Sequence, residues 1–146
     1  MKDALLDFGT ISLAVKDTDY YGENEIDWEA IDDRSLRLNG WHRQGLAKDL
    51  CVVFVANADF NAADDFIPFI ADDSSPTPTV KSITGPQVSA YTGHEVYKGI
   101  AWVLPLPKKH KRYMRAGATA KSTGTLTECS LEAYIEYGAD LEEAET

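Results

Sequence analysis

The side chains most suggestive of metal chemistry lie in the acidic stretch Asp17-Thr-Asp19-Tyr-Tyr-Gly22-Glu23-Asn-Glu25. It begins like a calcium-binding loop, in which alternating oxygen ligands precede a glycine that makes the sharp turn. That loop also needs an oxygen side chain at its fifth position and a bidentate Glu at its twelfth, where this chain has Tyr21 and Trp28. The pattern excludes an EF-hand. It leaves open a looser calcium site within residues 17–33, or simply a solvated acidic face.

The residues that catalysis commonly uses are dispersed. His42, His94 and His110 form no short-spaced pair, whereas metal centres need clustered ligands. The sequence also has no Gly-x-Ser-x-Gly elbow, no glycine-rich phosphate loop and no Cys-x-x-Cys. We therefore predict that the protein is not an enzyme and has no catalytic residues, cofactor or metal. A metal-dependent enzyme in which the histidines converge with acids is a lesser alternative.

A cluster of basic residues spans Lys108-Lys-His-Lys-Arg-Tyr-Met-Arg115, which holds five of the fourteen Lys and Arg residues. On a chain with a net charge of −10, it could dock onto an acidic partner or pair within a homo-oligomer. The alternative is a solvated loop that leads into a strand and balances nearby acids. The overall negative charge repels phosphate backbones, so we predict no nucleic-acid partner. The predicted docking residues are Lys108, Lys109, Lys111, Arg112, Tyr113 and Arg115.

Aromatic residues and cysteines each allow two interpretations. Trp28, Trp41 and Trp102, with seven tyrosines, could form a sugar-binding platform, but such residues more often lie in cores or interfaces. Cys51 and Cys129 lie in apolar or alternating stretches, which favours reduced, buried thiols in a cytosol-made protein. The sequence leaves open whether these two cysteines pair.

Short strands are the elements that must position these residues. The 146 residues fit one domain. Alternating or continuous apolar segments, separated by Gly, Pro, Asn and Asp, predict an all-β antiparallel sandwich or barrel. The strongest signal is the period-two alternation of residues 128–137, with Cys129, Leu131, Ala133, Ile135 and Tyr137 on one face. The predicted strands cover residues 10–15, 50–55, 66–70, 79–83, 96–104, 113–119 and 128–137.

The ends of the chain are predicted to be less regular. Residues 1–8 are predicted to form a short arm or helix, within an acidic N-terminal segment that extends to residue 33. Residues 138–146 are predicted to be a frayed acidic tail. No apolar run approaches the roughly 20 residues that cross a bilayer, and the acidic N-terminus does not suit a signal peptide. We therefore expect no membrane partner and synthesis in the cytoplasm.

Several segments, taken in order, resemble the jelly-roll capsid cement, or decoration, proteins of short-tailed bacteriophages. The resemblance is best over residues 48–139 and extends to Leu5-Leu-Asp-Phe8 and Asn24-Glu-Ile-Asp27, while residues 28–48 depart from it. The segments that carry it are Leu50-Cys-Val-Val-Phe-Val55, Ala58-Asp-Phe-Asn-Ala-Ala63, residues 66–75, residues 96–104, Arg112-Tyr-Met-Arg115, Thr123-Gly-Thr125 and the final alternating strand.

The resemblance implies a jelly-roll-like antiparallel β-sandwich that forms a homo-oligomer on the outer surface of a virion capsid. The implied partners are the major capsid protein and further copies of the chain, with a dimer preferred to a trimer. Oligomer contacts are expected from edge strands and from the N-terminal segment, where Leu5, Leu6 and Phe8 are the predicted residues, because short apolar arms often bury against a neighbour. The alternative function is a carbohydrate-binding or tail-associated β-sandwich module.

Overall fold

The computed structural model describes residues 6–29, 50–58, 60, 65–89, 96–106, 110–121 and 130–137. Within these ranges the chain forms strands and no α-helix. The strands are β1 (Asp7–Ser12), β2 (Asp19–Tyr21), β3 (Ile26–Asp27), β4 (Leu50–Ala56), β5 (Phe66–Asp73), β6 (Lys81–Thr84), β7 (Ala101–Pro105), β8 (Tyr113–Ala120) and β9 (Ser130–Tyr137).

The strands form two antiparallel sheets. The first, sheet A, has the order β1-β9-β4-β7. The second, sheet B, has the order β2-β8-β5-β6, and β3 also pairs with β8. The predicted fold class, an all-β antiparallel sandwich, is confirmed.

Strand pairs are nested along the chain. The first strand pairs with the last (β1 with β9), and β2 and β3 pair with β8. Inside these pairs, β4 is joined to β7 and β5 to β6. Two further pairings, β4 with β9 and β5 with β8, join the nested pairs into the two sheets.

The hydrophobic core lies between the sheets. Period-two alternation determines which side chains enter it, because successive residues of a strand point to opposite faces. Sheet A contributes Ile11, Val52, Phe54, Leu131, Ala133 and Ile135, and sheet B contributes Phe66, Ile70, Met114, Ala116, Ala118 and Ala120. For Leu131, Ala133 and Ile135 the alternation predicted in the last strand is confirmed.

One residue on the predicted polar face of β9 is buried. Glu136 is only 7% exposed, and its carbonyl accepts a hydrogen bond from Cys51 Sγ at 3.4 Å on the neighbouring strand β4. Cys51 is a free, buried thiol, as predicted for it, while Cys129 lies outside the described residues.

A proline within a strand usually marks an edge strand or a bulge, and Pro68 lies within β5. Instead β5 lies inside sheet B, although its register with β6 shifts between Ile70 and Ala71. Phe66 exchanges both of its backbone hydrogen bonds with Val88, so the nitrogen of Pro68, two residues on, faces the same side. Pairing with β6 ends at Phe69, so the missing N–H of Pro68 costs no ladder hydrogen bond.

Two predictions about the N-terminal segment were wrong. Leu6 and Phe8 were predicted to form an apolar arm for a second copy, but both are buried in the chain's own core and are unavailable to a neighbour. The segment after residue 17 was predicted to be irregular, yet it forms β2 and β3. Leu5, residues 30–49 and the predicted tail 138–146 lie outside the described residues.

Candidate docking surfaces

The basic segment lies where the chain enters β8, beside the short strand β3. Lys108 and Lys109 lie outside the described residues, so the structure places residues 110–115 of this segment. Pairing of Ile26 with Met114 and of Asp27 with Tyr113 brings the acidic N-terminal segment against it. Residues 27–29 and 110–113 together are called the Arg112 cluster below.

Arg112 is held by two carboxylates. Its Nε and Nη2 donate to the two oxygens of Asp27 at 2.9 and 3.1 Å, and its Nη1 lies 3.2 Å from Glu29 Oε2. The hydrogen bonds that Arg112 donates to Asp27, together with the negative charge of both acids, hold the pKa of Arg112 above its ordinary value. The guanidinium also lies over the ring of Tyr113, 4.9 Å from its centroid. The positive charge of Arg112 is therefore balanced within the chain.

Backbone and ring contacts complete the Arg112 cluster. Trp28 N donates to Arg112 O at 2.9 Å, and the rings of Trp28 and His110 lie 4.4 Å apart at an angle of 33°. Lys111 N donates to Asp72 Oδ2 at 2.6 Å. These contacts use main-chain atoms of Lys111 and leave its side chain exposed.

Arg115 is one of the predicted docking residues, but in the structure its side chain contacts Tyr21 and Pro78 and not the Arg112 cluster. Its guanidinium stacks 3.6 Å above the centroid of Tyr21, and its Nε donates to Pro78 O at 3.0 Å. Tyr21 in turn packs edge-on against Phe69, which is fully buried on the face of sheet B opposite the core. Arg115 therefore fastens β2 and the turn after β5 onto β8 and is only partly exposed.

The accessible part of the basic segment is a surface of mixed charge. Arg112 keeps 42% of its side chain exposed and Glu29 keeps 69%, and the exposed Lys111 lies next to them. Whether this surface contacts another protein stays a prediction. Among the described members of the predicted docking set, Lys111 has the side chain best placed for it.

Lysines already engage two carboxylates, Asp17 and Asp19, of the acidic stretch that resembled a calcium loop. Asp17 Oδ1 lies 2.9 Å from Lys121 Nζ, and its hydrogen bond lowers the pKa of Asp17. Asp19 Oδ1 accepts hydrogen bonds from Thr119 Oγ1 at 2.5 Å and Lys81 Nζ at 3.1 Å. Partial burial raises the pKa of Asp19, but these two hydrogen bonds outweigh it and the net direction is down. Among the described residues, no group of three His, Cys, Asp or Glu side chains could hold a metal ion.

The other predicted sites receive little support from the described residues. His110 stacks on Trp28, and His42 and His94 lie outside the described part of the chain. Trp102 packs edge-on against the core residue Phe66 at 5.1 Å, so it is no part of an exposed platform. Trp41 also lies outside the described ranges.

The structure reveals an exposed apolar edge that the sequence reasoning did not identify. β7 is the last strand of sheet A, and Val103 within it is 50% exposed. Ile100 and Tyr97, just before the strand, are 41% and 55% exposed. The sequence signal is the continuous apolar run Ile100-Ala-Trp-Val-Leu-Pro105, whose lack of alternation does not indicate which side of the strand is covered.

No protein-family model matches the chain, and neither does any curated protein. Within the described ranges there is also no helix of the length and apolar character that crossing a membrane requires.

Proposed function

We propose that this chain is a structural virion protein: a homo-oligomeric capsid cement protein that binds the outer surface of a tailed-phage capsid. In this role it acts by binding and carries out no reaction. Its partners are the major capsid protein and further copies of itself.

The observation that carries the proposal is the placement of the segments that resemble cement proteins. The segments at 50–55, 66–75, 96–104 and 112–115 and the final alternating stretch supply strands β4, β5, β7, β8 and β9. These strands lie in both sheets and account for most of the sandwich. The resemblance thus extends over strands of both sheets and is not confined to one hairpin.

The nested strand pairing supports the finer part of the fold proposal. A jelly roll is a long antiparallel hairpin wrapped into two four-stranded sheets, so strands equally far from its centre are paired. When β2 and β3 are counted as one interrupted strand, the pairs β1–β9, β2/β3–β8, β4–β7 and β5–β6 follow this scheme.

Charge and energetics are compatible with an outer position. A chain with net charge −10 is repelled by the packaged nucleic acid inside a shell. A protein that binds only the assembled shell stabilises it by mass action. Because many copies bind one lattice, each contact can be weak.

The test is co-sedimentation with empty tailed-phage shells that lack decoration, from the phage that encodes this chain. We expect saturable pelleting at a fixed ratio to coat subunits, together with a raised melting temperature of the shell. A protein that stays in the supernatant at every salt concentration would contradict the proposal. Glycan and metal screens would then test the sugar-binding and metal-enzyme alternatives.

A matched pair of charge reversals tests whether the Arg112 cluster is the coat contact. Lys111→Glu reverses an exposed charge beside Arg112, and we expect it to weaken pelleting. Lys16→Glu makes the same change at the other end of β8, since its neighbour Asp17 bonds to Ala120 O. Equal pelleting of the two variants would exclude this cluster as the docking surface.

A further inference from the structure

The open edge of β7 differs from the other sheet edges in its charge. The outer strands β1, β2, β3 and β6 contain Asp7, Asp19, Asp27 and Lys81 respectively. β7, with the sequence Ala-Trp-Val-Leu-Pro, contains no charged residue. Charged side chains on edge strands normally discourage pairing with another chain. Of the edges that the structure describes, only the β7 edge lacks this protection.

The hydrogen bonds to β4 show which backbone groups of β7 remain open. At the two ends of the pairing, Leu106 N donates to Leu50 O and Ala56 N donates to Ile100 O. In an antiparallel pair the hydrogen-bonded positions recur at every second residue, so the backbone N–H and C=O groups of Trp102 and Leu104 also point toward β4. The N–H and C=O groups of the intervening residues therefore point away from the sheet. These residues are Ala101, Val103 and Pro105.

This pattern of open groups is complementary to itself. When a second copy of β7 lies antiparallel with Val103 opposite Val103, each Val103 N–H meets the other Val103 carbonyl. Each Ala101 N–H then meets the carbonyl of Pro105 in the other copy. Proline has no N–H, so both open donors of each strand find acceptors and four intermolecular hydrogen bonds form.

The side chains match the same register. Val103 lies opposite Val53 of β4 and shares its face of sheet A. A two-fold axis at Val103 would produce an unbroken row of four valines across the seam, two from each copy. Val53 is already buried, whereas Val103 is half exposed, so pairing would remove from water the apolar side chain that the edge leaves open.

We propose that two copies of this chain associate through antiparallel pairing of their β7 strands about a two-fold axis at Val103, which joins their A sheets into one eight-stranded sheet. The interaction specifies the homo-oligomer of the proposed function, but it does not require a capsid. Because a five-residue seam is small, the dimer is expected to be weak in solution and to be reinforced when many copies share a lattice.

Sedimentation velocity over about 10 µM to about 1 mM tests the pairing, since a small interface gives a dimer within this range. We expect the wild-type sedimentation coefficient to rise toward that of a dimer. Val103→Lys places two like charges at the axis and should weaken association by at least ~10-fold. Val80→Lys is the matched control, because Val80 is 62% exposed and lies outside the seam. Circular dichroism verifies that both variants fold.

Amide exchange gives an independent readout of the register. The N–H groups of Ala101 and Val103 should become protected at high concentration and exchange faster on dilution, while those of Trp102 and Leu104 stay protected throughout. A monomer at every concentration, equal association of the two lysine variants, or concentration-independent exchange at Ala101 and Val103 would each overturn the proposal. If the protein does not dimerise in these experiments but still binds shells, the proposed capsid role does not depend on this dimer.

Discussion

Arg112 and Asp27 join two parts of the chain that are 85 positions apart. Their side chains make a two-pronged contact, with Arg112 Nε and Nη2 at 2.9 and 3.1 Å from the two Asp27 oxygens. The planar guanidinium matches a carboxylate in this geometry, which lysine would not reproduce. The contact explains how an acidic N-terminal segment becomes the strand β3 at the edge of sheet B.

We expect Arg112 and Asp27 to be coupled in a double-mutant cycle. Arg112→Ala and Asp27→Ala should each lower stability slightly, and the double variant should lose less than the sum of the two. The pair is partly exposed, so the coupling should be small and should shrink in high salt. Urea unfolding at two salt concentrations measures it. Glu29→Ala, at a more exposed carboxylate, should couple less, and additive losses for Arg112 and Asp27 would contradict the contact.

Gly117→Ala should destabilise the fold by about 2–3 kcal/mol. A Cβ at this position of β8 would lie 2.4 Å from Tyr20 O and 2.6 Å from Phe69 Cζ, and neither a paired backbone nor a buried ring moves easily. Thermal and urea unfolding measure the loss. Gly85→Ala is the comparison and should lose less, because its added methyl group meets side-chain atoms, Leu104 Cδ2 at 2.8 Å and Pro68 Cγ at 3.1 Å, and the leucine end can rotate. A Gly117→Ala variant as stable as the wild-type protein would show that β8 tolerates the extra atom.

Cys51 should react slowly with thiol reagents in the folded protein. Burial, and then the charge of Glu136, raise the pKa of the Cys51 thiol to about 11 from 9.0. Near pH 8 this lowers the thiolate fraction by about 100-fold. Alkylation followed by mass spectrometry of the peptide that contains Cys51 gives the rate, with the protein unfolded in guanidinium as the control. A rate in the folded protein equal to that in the unfolded chain would contradict the burial of Cys51.

The same pKa shift predicts how stability changes in alkaline solution. Because the folded pKa lies above the unfolded value, the folded state holds its proton more tightly. The contribution of Cys51 should be fully present below about pH 9 and should be lost as the pH rises toward 11. Cys51→Ala should remove this part of the alkaline loss, as measured by urea unfolding between these two pH values. An identical alkaline profile for the variant would refute this linkage.

Asp19 should stabilise the fold in neutral solution and should not bind calcium. Its folded pKa lies below 3.8, so its contribution is present above that pH and is lost as the pH falls through the folded value. Asp19→Asn should therefore flatten the acid limb of the stability curve. Glu23→Gln, at an exposed acid of the same segment, controls for the loss of one charge.

Calcium addition tests the same carboxylates from the other direction. Because Lys81 and Lys121 already neutralise Asp19 and Asp17, calcium at about 1 mM should leave the melting temperature of the wild-type protein unchanged. A calcium-dependent rise that Asp19→Asn abolishes would restore the metal-site hypothesis for this segment.

The sequence predicted those strands whose own residues show alternation or a continuous apolar run. Alternation identified β9 and its buried Leu131, Ala133 and Ile135, and the continuous apolar run identified β4. The basic segment was correctly placed before a strand, which begins at Tyr113. These strand signals are local, because a few consecutive residues, alternating or continuously apolar, indicate whether a strand is buried on one face or on both.

Contacts between distant segments decided the rest. By sequence, Asp27 belongs to a solvated acidic stretch, but the structure places Arg112 beside it. By sequence, Pro68 indicates an edge strand, but in the structure the pairing with β6 ends before it. The half-exposed Val103 and the buried Glu136 likewise depend on what lies beside each strand. The sequence alone determined the longer strands, the all-β class and the excess of negative charge. Only the tertiary structure decided which charges are neutralised and which edge stays open, because pairing partners many positions apart leave no local pattern.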